Sequence, residues 1–197
     1  MTSLIITIGI ILSTYSSLPY IREIIRGSVR PRIASWSVWT ILAGVMTVSA
    51  FVEGQTPSAL LSLVSFAGCA TILILGWKRG GRELSRIDVV CIVGAVLGIG
   101  SLVVLRDPGV AILVSVAVDA IAFVPTLIHG WTDPDEESFG CFALAAAGAA
   151  CALIAGLLSG ATMSGLAYPV YAVAFNGMMA AILFISQLTY RSDEVYE

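Results

Sequence analysis

Seven apolar runs, at residues 3–22, 34–52, 58–77, 87–105, 109–128, 137–158 and 165–188, take up nearly all of this 197-residue chain. Each falls near the roughly 17–25 residues that a helix needs to cross the hydrocarbon core of a bilayer. No water is available there to satisfy backbone N–H and C=O groups, so a spanning segment must bond to itself, as an α-helix does. The expected fold is therefore all-α and integral to a membrane, with seven transmembrane helices. Composition agrees: 58% hydrophobic, 12% charged and a mean hydropathy of +0.96 are too apolar for a soluble domain of this size. The short connections leave no room for a soluble domain.

The first run is read as a helix rather than a secretory leader, because no Lys or Arg precedes it and no small-x-small cleavage pattern follows it. Orientation follows from the basic residues. Arg22, Arg26, Arg30 and Arg32 follow the first run, Lys78, Arg79, Arg82 and Arg86 follow the third, and Arg191 follows the seventh, which leaves Arg106 alone on the other side. The positive-inside rule then predicts an N-terminus outside and a C-terminus in the cytoplasm, in a plasma (inner) membrane. The acidic loop Asp133-Pro134-Asp135-Glu136-Glu137 falls on the cytoplasmic side, but acidic residues carry little topological weight.

The chain also repeats itself. Leu18-Pro19 lies late in the first run and Val124-Pro125 late in the fifth. Each is followed by a polar turn and a segment opening with Ser and aromatics, Ser35-Trp36-Ser37-Val38-Trp39 in one copy and Ser138-Phe139-Gly140-Cys141-Phe142 in the other. Phe66-Ala67-Gly68 and Phe175-Asn176-Gly177 form a third matched pair. These matches predict two three-helix repeats, 1–80 and 108–197, joined by a linker helix in 81–107. A single linker makes both triplets cross in the same direction, so the repeats are parallel about an axis along the membrane normal. Gly94-x-x-x-Gly98 equips the linker for a close crossing with one triplet. Gly148, Ala152, Gly156 and Gly160 form a small-residue stripe on the sixth helix, for packing within its triplet or between protomers.

Several features have local explanations. Asp133 is positioned as an N-cap for the sixth helix, with Pro134 at its first turn and Glu136 completing a capping box; a cation-attracting mouth is the alternative. Thr56-Pro57, Asp107-Pro108 and Ser85-x-x-Asp88 are similar start signals. Trp77 and Trp131 suit an interfacial aromatic belt. Cys69, Cys91, Cys141 and Cys151 lie in apolar runs without a Cys-x-x-Cys pair, and His129 is the one His, so neither a disulfide framework nor a metal site is expected. No cofactor and no nucleic-acid partner are expected either.

The candidate solute site is built on Asp119, about ten residues into the fifth helix and hence near the bilayer midplane. A carboxylate there costs on the order of 2.5–3.5 kcal/mol on insertion scales, so it should face a cavity or carry a proton. Ser13 is its counterpart in the first repeat and opens the polar run Ser13-Thr14-Tyr15-Ser16-Ser17. Asn176 in the seventh helix adds an amide, and Tyr15 and Tyr171 add ring surface. For the Ser and Thr residues, a hydroxyl bonded back to its own helix is the preferred reading. Pro19 and Pro125 each remove a backbone hydrogen bond, and the hinge role given to them is the one that the resemblance described next implies. Trp36, Trp39, Phe139 and Phe142 are the candidate cytoplasmic gate.

This plan, with an external N-terminus and Pro19 and Pro125 late in the first helix of each triplet, resembles the PQ-loop superfamily. That group includes the SWEET sugar facilitators, lysosomal cystine and cationic amino-acid exporters, and the KDEL receptor. The resemblance covers essentially the whole chain and rests on architecture more than on motif. The Pro-Gln dipeptide of that group stands here as Pro19-Tyr20 and Pro125-Thr126. In SWEET proteins an Asn in the third helix of each triplet contacts sugar; Asn176 occupies that place in one triplet, and Ala67-Gly68 in the other. The resemblance implies alternating-access transport of a small polar solute, proton-coupled or cation-selective through Asp119.

A retinal protein needs a Lys in its last helix, and the one Lys here, Lys78, lies in a loop. An intramembrane serine protease needs a His near its Ser, and His129 lies at the opposite face from Ser164-Gly165; an enzyme is not expected. A receptor or sensor of the KDEL-receptor type and a facilitator of the nicotinamide-riboside type remain as alternatives. Oligomeric state stays open, a homo-oligomer included.

Overall fold

Runs rich in Ile, Leu, Val and Ala become helices wherever the backbone must satisfy itself, and the computed structural model has seven of them among its described residues. It describes residues 2–27, 31, 33–78, 86–100, 103–104, 106–132, 134 and 137–193, without the side chains of 34, 35, 87, 88, 91, 95, 98, 125, 129 and 187–193. The helices are α1 (Thr2–Arg26), α2 (Ile33–Val52), α3 (Thr56–Gly76), α4 (Arg86–Gly100), α5 (Pro108–Thr132), α6 (Phe139–Leu158) and α7 (Met163–Asp193). Five segments, in α1, α3, α5, α6 and α7 (Met163–Ser186), are long and apolar enough to cross a membrane. The apolar part of α2, Trp36–Val52, is shorter. The described part of α4 has 15 residues, about 22 Å of rise, and the described residues 103–104 of the expected run 87–105 are helical as well.

The distribution of side chains is that of a protein in lipid. Ile, Leu and Val face outward along every helix, as at Leu4, Ile74, Val96 and Leu157, while Ser49, Ser62 and Ser115 are fully buried. Small hydroxyl residues inside and large aliphatics outside is how helices associate where lipid is as apolar as Leu. This is an integral membrane protein.

Packing brings α3 against both α1 and α2, and α7 against both α5 and α6. Across these groups α1 packs on α6 and α2 on α5, while α4 lies against α5 and α2. The α1–α6 contact is the most extensive, and its closeness comes from small residues. A Cβ added at Gly9 would lie 2.9 Å from Cβ of Cys151, and one at Gly148 would collide with the Ser13 hydroxyl. The sixth-helix stripe is divided among neighbours. Gly148 serves the crossing with α1; Gly156 approaches Leu166 of α7, where a Cβ would lie 3.0 Å from its methyl; Gly160 sits in the following turn at φ +70°. Gly94 approaches Val118 of α5, as a close linker crossing requires, although α4 spans α5 and α2 rather than one triplet.

The helix starts follow the sequence signals unevenly. Asp107 caps α5, its Oδ1 accepting from the Val110 amide at 3.0 Å. The start of α6 is displaced: Phe139 is its first residue and Ser138 its N-cap, without a side-chain cap bond. Pro134 therefore precedes the helix, and Asp133 and Glu136, like Ser85, lie outside the described residues.

The main core joins Val38, Leu42 and Met46 of α2, Leu61 of α3, Ala149 and Ala152 of α6, and Tyr168, Tyr171 and Ala172 of α7. Its polar edge is where the candidate site lies.

Candidate functional site

α5 carries Asp119 half-buried on a face that also presents Ser115 and Phe123, one turn away on either side. α7 opposes it with an aromatic face. Tyr168, Tyr171 and Phe175 are spaced three and four apart, which places them on one side of a helix. Tyr171 of α7 lies beside the Asp119 carboxylate of α5. Tyr168 donates to Oγ of Ser65 on α3 at 2.8 Å. The rings of Tyr168 and Tyr171 stack with centroids 6.4 Å apart, and Tyr171 meets Phe175 at 4.8 Å. Carboxylate, phenols and rings thus come together from α3, α5 and α7.

Phe123 extends this cluster toward the basic end of the molecule. It packs edge-on against Phe175 at 5.7 Å and against Phe142 at 6.0 Å, and it meets Trp39 at 6.2 Å. Trp39 continues to Trp36, and Trp36 to Tyr20, each at 5.1 Å. Three of the four expected gate residues, Trp36, Trp39 and Phe142, belong to one continuous run of rings. Phe139 stands apart, paired with Phe184 at 6.0 Å, both exposed on the outer surface. Trp39 contributes a buried indole N–H without a partner among the described residues.

The remaining expected solute residues lie elsewhere or are occupied. Asn176 donates from Nδ2 to the Ala172 carbonyl at 2.9 Å, within its own helix. Ser13 is buried in the α1–α6 crossing, and its Oγ has no partner among the described residues. Tyr15 is 58% exposed on α1. Thr14, Ser16, Ser37, Thr40, Thr47 and Ser62 bond back to carbonyls of their own helices at 2.7–2.9 Å. Pro19 lies inside α1; Pro125 lies in α5 with its side chain outside the described residues. Pro169, fully buried within α7 between the two tyrosines' turns, is a second break in a helix that borders the site.

Tyr168, Ser65, Phe123 and Phe175 were not expected in the site. The three-and-four spacing on α7 and the four-residue spacing from Asp119 to Phe123 carried the signal. No sequence pattern links Ser65 to Tyr168, which lies on another helix.

The end of the molecule opposite the basic residues is tied by a second polar group. Glu53, in the turn after α2, accepts from the Ser164 hydroxyl at 2.9 Å. A Cβ on Gly109, at the start of α5, would lie 2.7 Å from Oε1 of Glu53, and one on Gly165 would collide with Gln55. Thr162 caps α7 by accepting from the Gly165 amide at 3.1 Å. One carboxylate therefore sits against the N-terminal turns of two helices, where backbone N–H groups and the helix dipole favour negative charge.

Elsewhere, a groove of about 630 Å³ lies between α1 and α3 at the basic end, lined by Ile24, Ile25, Leu73, Ile74, Leu75, Trp77 and Lys78. It contains none of the Asp119 cluster. Among the described residues, no group of three or more His, Cys, Asp or Glu side chains could hold a metal ion. No protein-family model, no curated protein and no solved structure matches this chain.

Proposed function

We propose that this protein is a transporter of a small polar solute, working by alternating access between two three-helix units. The supporting observation is the exchange pattern of the helix contacts. Swapping α1–α3 with α5–α7 sends α1·α3 to α5·α7, α2·α3 to α6·α7 and α1·α6 to α2·α5, and each of these contacts exists, while α3·α6 lacks a counterpart of like extent in α2·α7. Two like units meeting across such a relation form a central seam, and Asp119 borders it on α5. The units correspond to 1–80 and 108–197, with 81–107 as the linker, in the parallel arrangement of the PQ-loop and SWEET group.

In this mechanism the carboxylate is the binding or coupling group. An ionisable side chain at that depth is costly unless it meets a proton, a cation or water. The ring series from Tyr20 to Phe142 closes the seam toward the basic end, and the Glu53–Ser164 contact closes the opposite end. Rocking of the units opens one closure at a time, with Pro19 and Pro125 absorbing the bend. The basic end faces the cytoplasm, with the N-terminus outside, in the plasma (inner) membrane.

A broad solute-uptake screen in proteoliposomes, with and without an imposed pH gradient, tests this reading. Accumulation of at least one small solute, abolished by Asp119→Asn, is the expected outcome. Tight binding of a peptide with no solute accumulated would replace the transporter with a receptor.

A further inference from the structure

We infer that the Asp119 site takes a small organic ammonium ion, bound by the carboxylate and by the ring faces beside it. The inference deepens the transporter reading and rests on it. It starts from what surrounds the carboxylate. Among the described residues Asp119 has no cationic partner, and its polar neighbour is the Tyr171 hydroxyl. Lys78, the one Lys of the chain, lies beyond the end of α3. A carboxylate half-buried in a membrane without a cationic partner in the fold is stabilised in its charged form by a positive group arriving from outside.

The neighbours decide which kind of cation. A metal ion such as Ca²⁺ or Mg²⁺ needs about six or more oxygen ligands. The site offers one carboxylate, with the Tyr168 hydroxyl already committed to Ser65. A sugar would bring many hydroxyls to a wall made of Phe123, Phe175 and Tyr171 rings with the aliphatic Leu42 and Met46 behind them. Hydroxyls buried there without partners cost free energy. The Asn176 amide that could have received them is engaged at Ala172. An anion would meet repulsion. An alkylated ammonium group fits each constraint: its charge pairs with the carboxylate, and its methyl or methylene surface lies on ring faces whose quadrupoles attract cations within about 6 Å. Phe175 touches both Tyr171 and Phe123, and Phe123 follows Asp119 by one turn on the same side of α5, so the rings and the carboxylate lie along one helix face.

The test uses the full-length protein in detergent and in proteoliposomes, with choline as the probe. Its uncharged analogue, in which carbon replaces the quaternary nitrogen, and glucose serve as comparators. Choline is expected to raise the thermal midpoint saturably, while the neutral analogue and glucose do not. Asp119→Asn should abolish the shift. Phe175→Leu should weaken choline binding about fivefold, within the span of a single cation–π contact, whereas Tyr171→Phe, which keeps the ring, should weaken it less than Tyr171→Leu. A wild-type protein stabilised equally by choline and its neutral analogue, or by glucose alone, overturns the inference whatever the variants do. Choline binding without transport of any solute upholds the ligand class and overturns the transporter. Accumulation of a neutral solute with no response to choline does the reverse.

Discussion

The hydroxyl of Ser164, at the start of α7, donates to the carboxylate of Glu53, in the turn after α2, across 2.9 Å. The two residues are 111 positions apart in the chain, and their bond ties the turn after α2 to the start of α7. A hydrogen bond to a charged group contributes more than one between neutral partners. Ser164→Ala should cost about 1–2 kcal/mol, seen as a lower thermal midpoint in detergent. Glu53→Gln retains an acceptor for Ser164 and should cost less. A larger loss in Glu53→Gln than in Ser164→Ala would show that the carboxylate matters through the helix ends and not through Ser164.

Glycines in this protein divide into those that fill a contact and those that do not. A Cβ at Gly148 would lie 2.9 Å from the Gly9 carbonyl oxygen and would collide with Ser13. Gly148→Val should therefore destabilise by about 1–3 kcal/mol through overpacking of the α1–α6 crossing. At Gly177 of α7 nothing lies within 4 Å of an added Cβ. Gly177→Ala should instead stabilise, by about 0.5–1 kcal/mol, because Ala loses less backbone entropy in a helix. Thermal unfolding of both variants in one detergent checks the pair of opposite signs.

Phe123 is 8% exposed and contacts the rings of Trp39, Phe142 and Phe175. Its removal cuts the ring series at the only described junction that all three share. Phe123→Ala should cost about 3–5 kcal/mol. Quenching of Trp39 fluorescence by a water-soluble quencher should rise as well, once the closure toward the basic end is thinned. Unchanged quenching would mean that the rings are packing alone.

Pro19 sits within α1 and has no N–H to donate to the carbonyl one turn before it, that of Tyr15. Pro19→Ala restores that donor. The variant should unfold at a higher temperature and move solute more slowly in proteoliposomes, the combination a hinge produces. Faster or equal uptake with the same gain in stability would remove Pro19 from the transport cycle.

The legible part of this protein was local. Apolar length predicted seven helices, and seven formed, because a backbone in lipid must bond within its own segment. Aspartate at 107 followed by Pro108 predicted the start of α5, since an N-cap works through neighbours three residues away. The same reasoning failed at α6, where Ser138 and not Asp133 precedes the first turn; several candidate caps lay close together, and local rules do not rank them. At the site, Asp119 and Tyr171 were each visible as polar or aromatic residues at membrane depth. Their pairing was not, nor was that of Tyr168 with Ser65, because both pairs join different helices.

From its sequence alone, this chain was bound to be a set of apolar helices with most basic residues toward one end and a carboxylate at mid-depth in the fifth. Periodicity and hydropathy act over one or two turns, and that range is enough to decide a helix and its faces. Which face meets which neighbour was left to the tertiary structure. It set Ser13 against Gly148, divided the small-residue stripe of α6 among two neighbouring helices and a turn, and turned Tyr15 outward. It also assembled the ring series across α1, α2, α5, α6 and α7. Those outcomes depend on the distance and crossing of whole helices, which arise from the simultaneous packing of all seven and are encoded in no single segment.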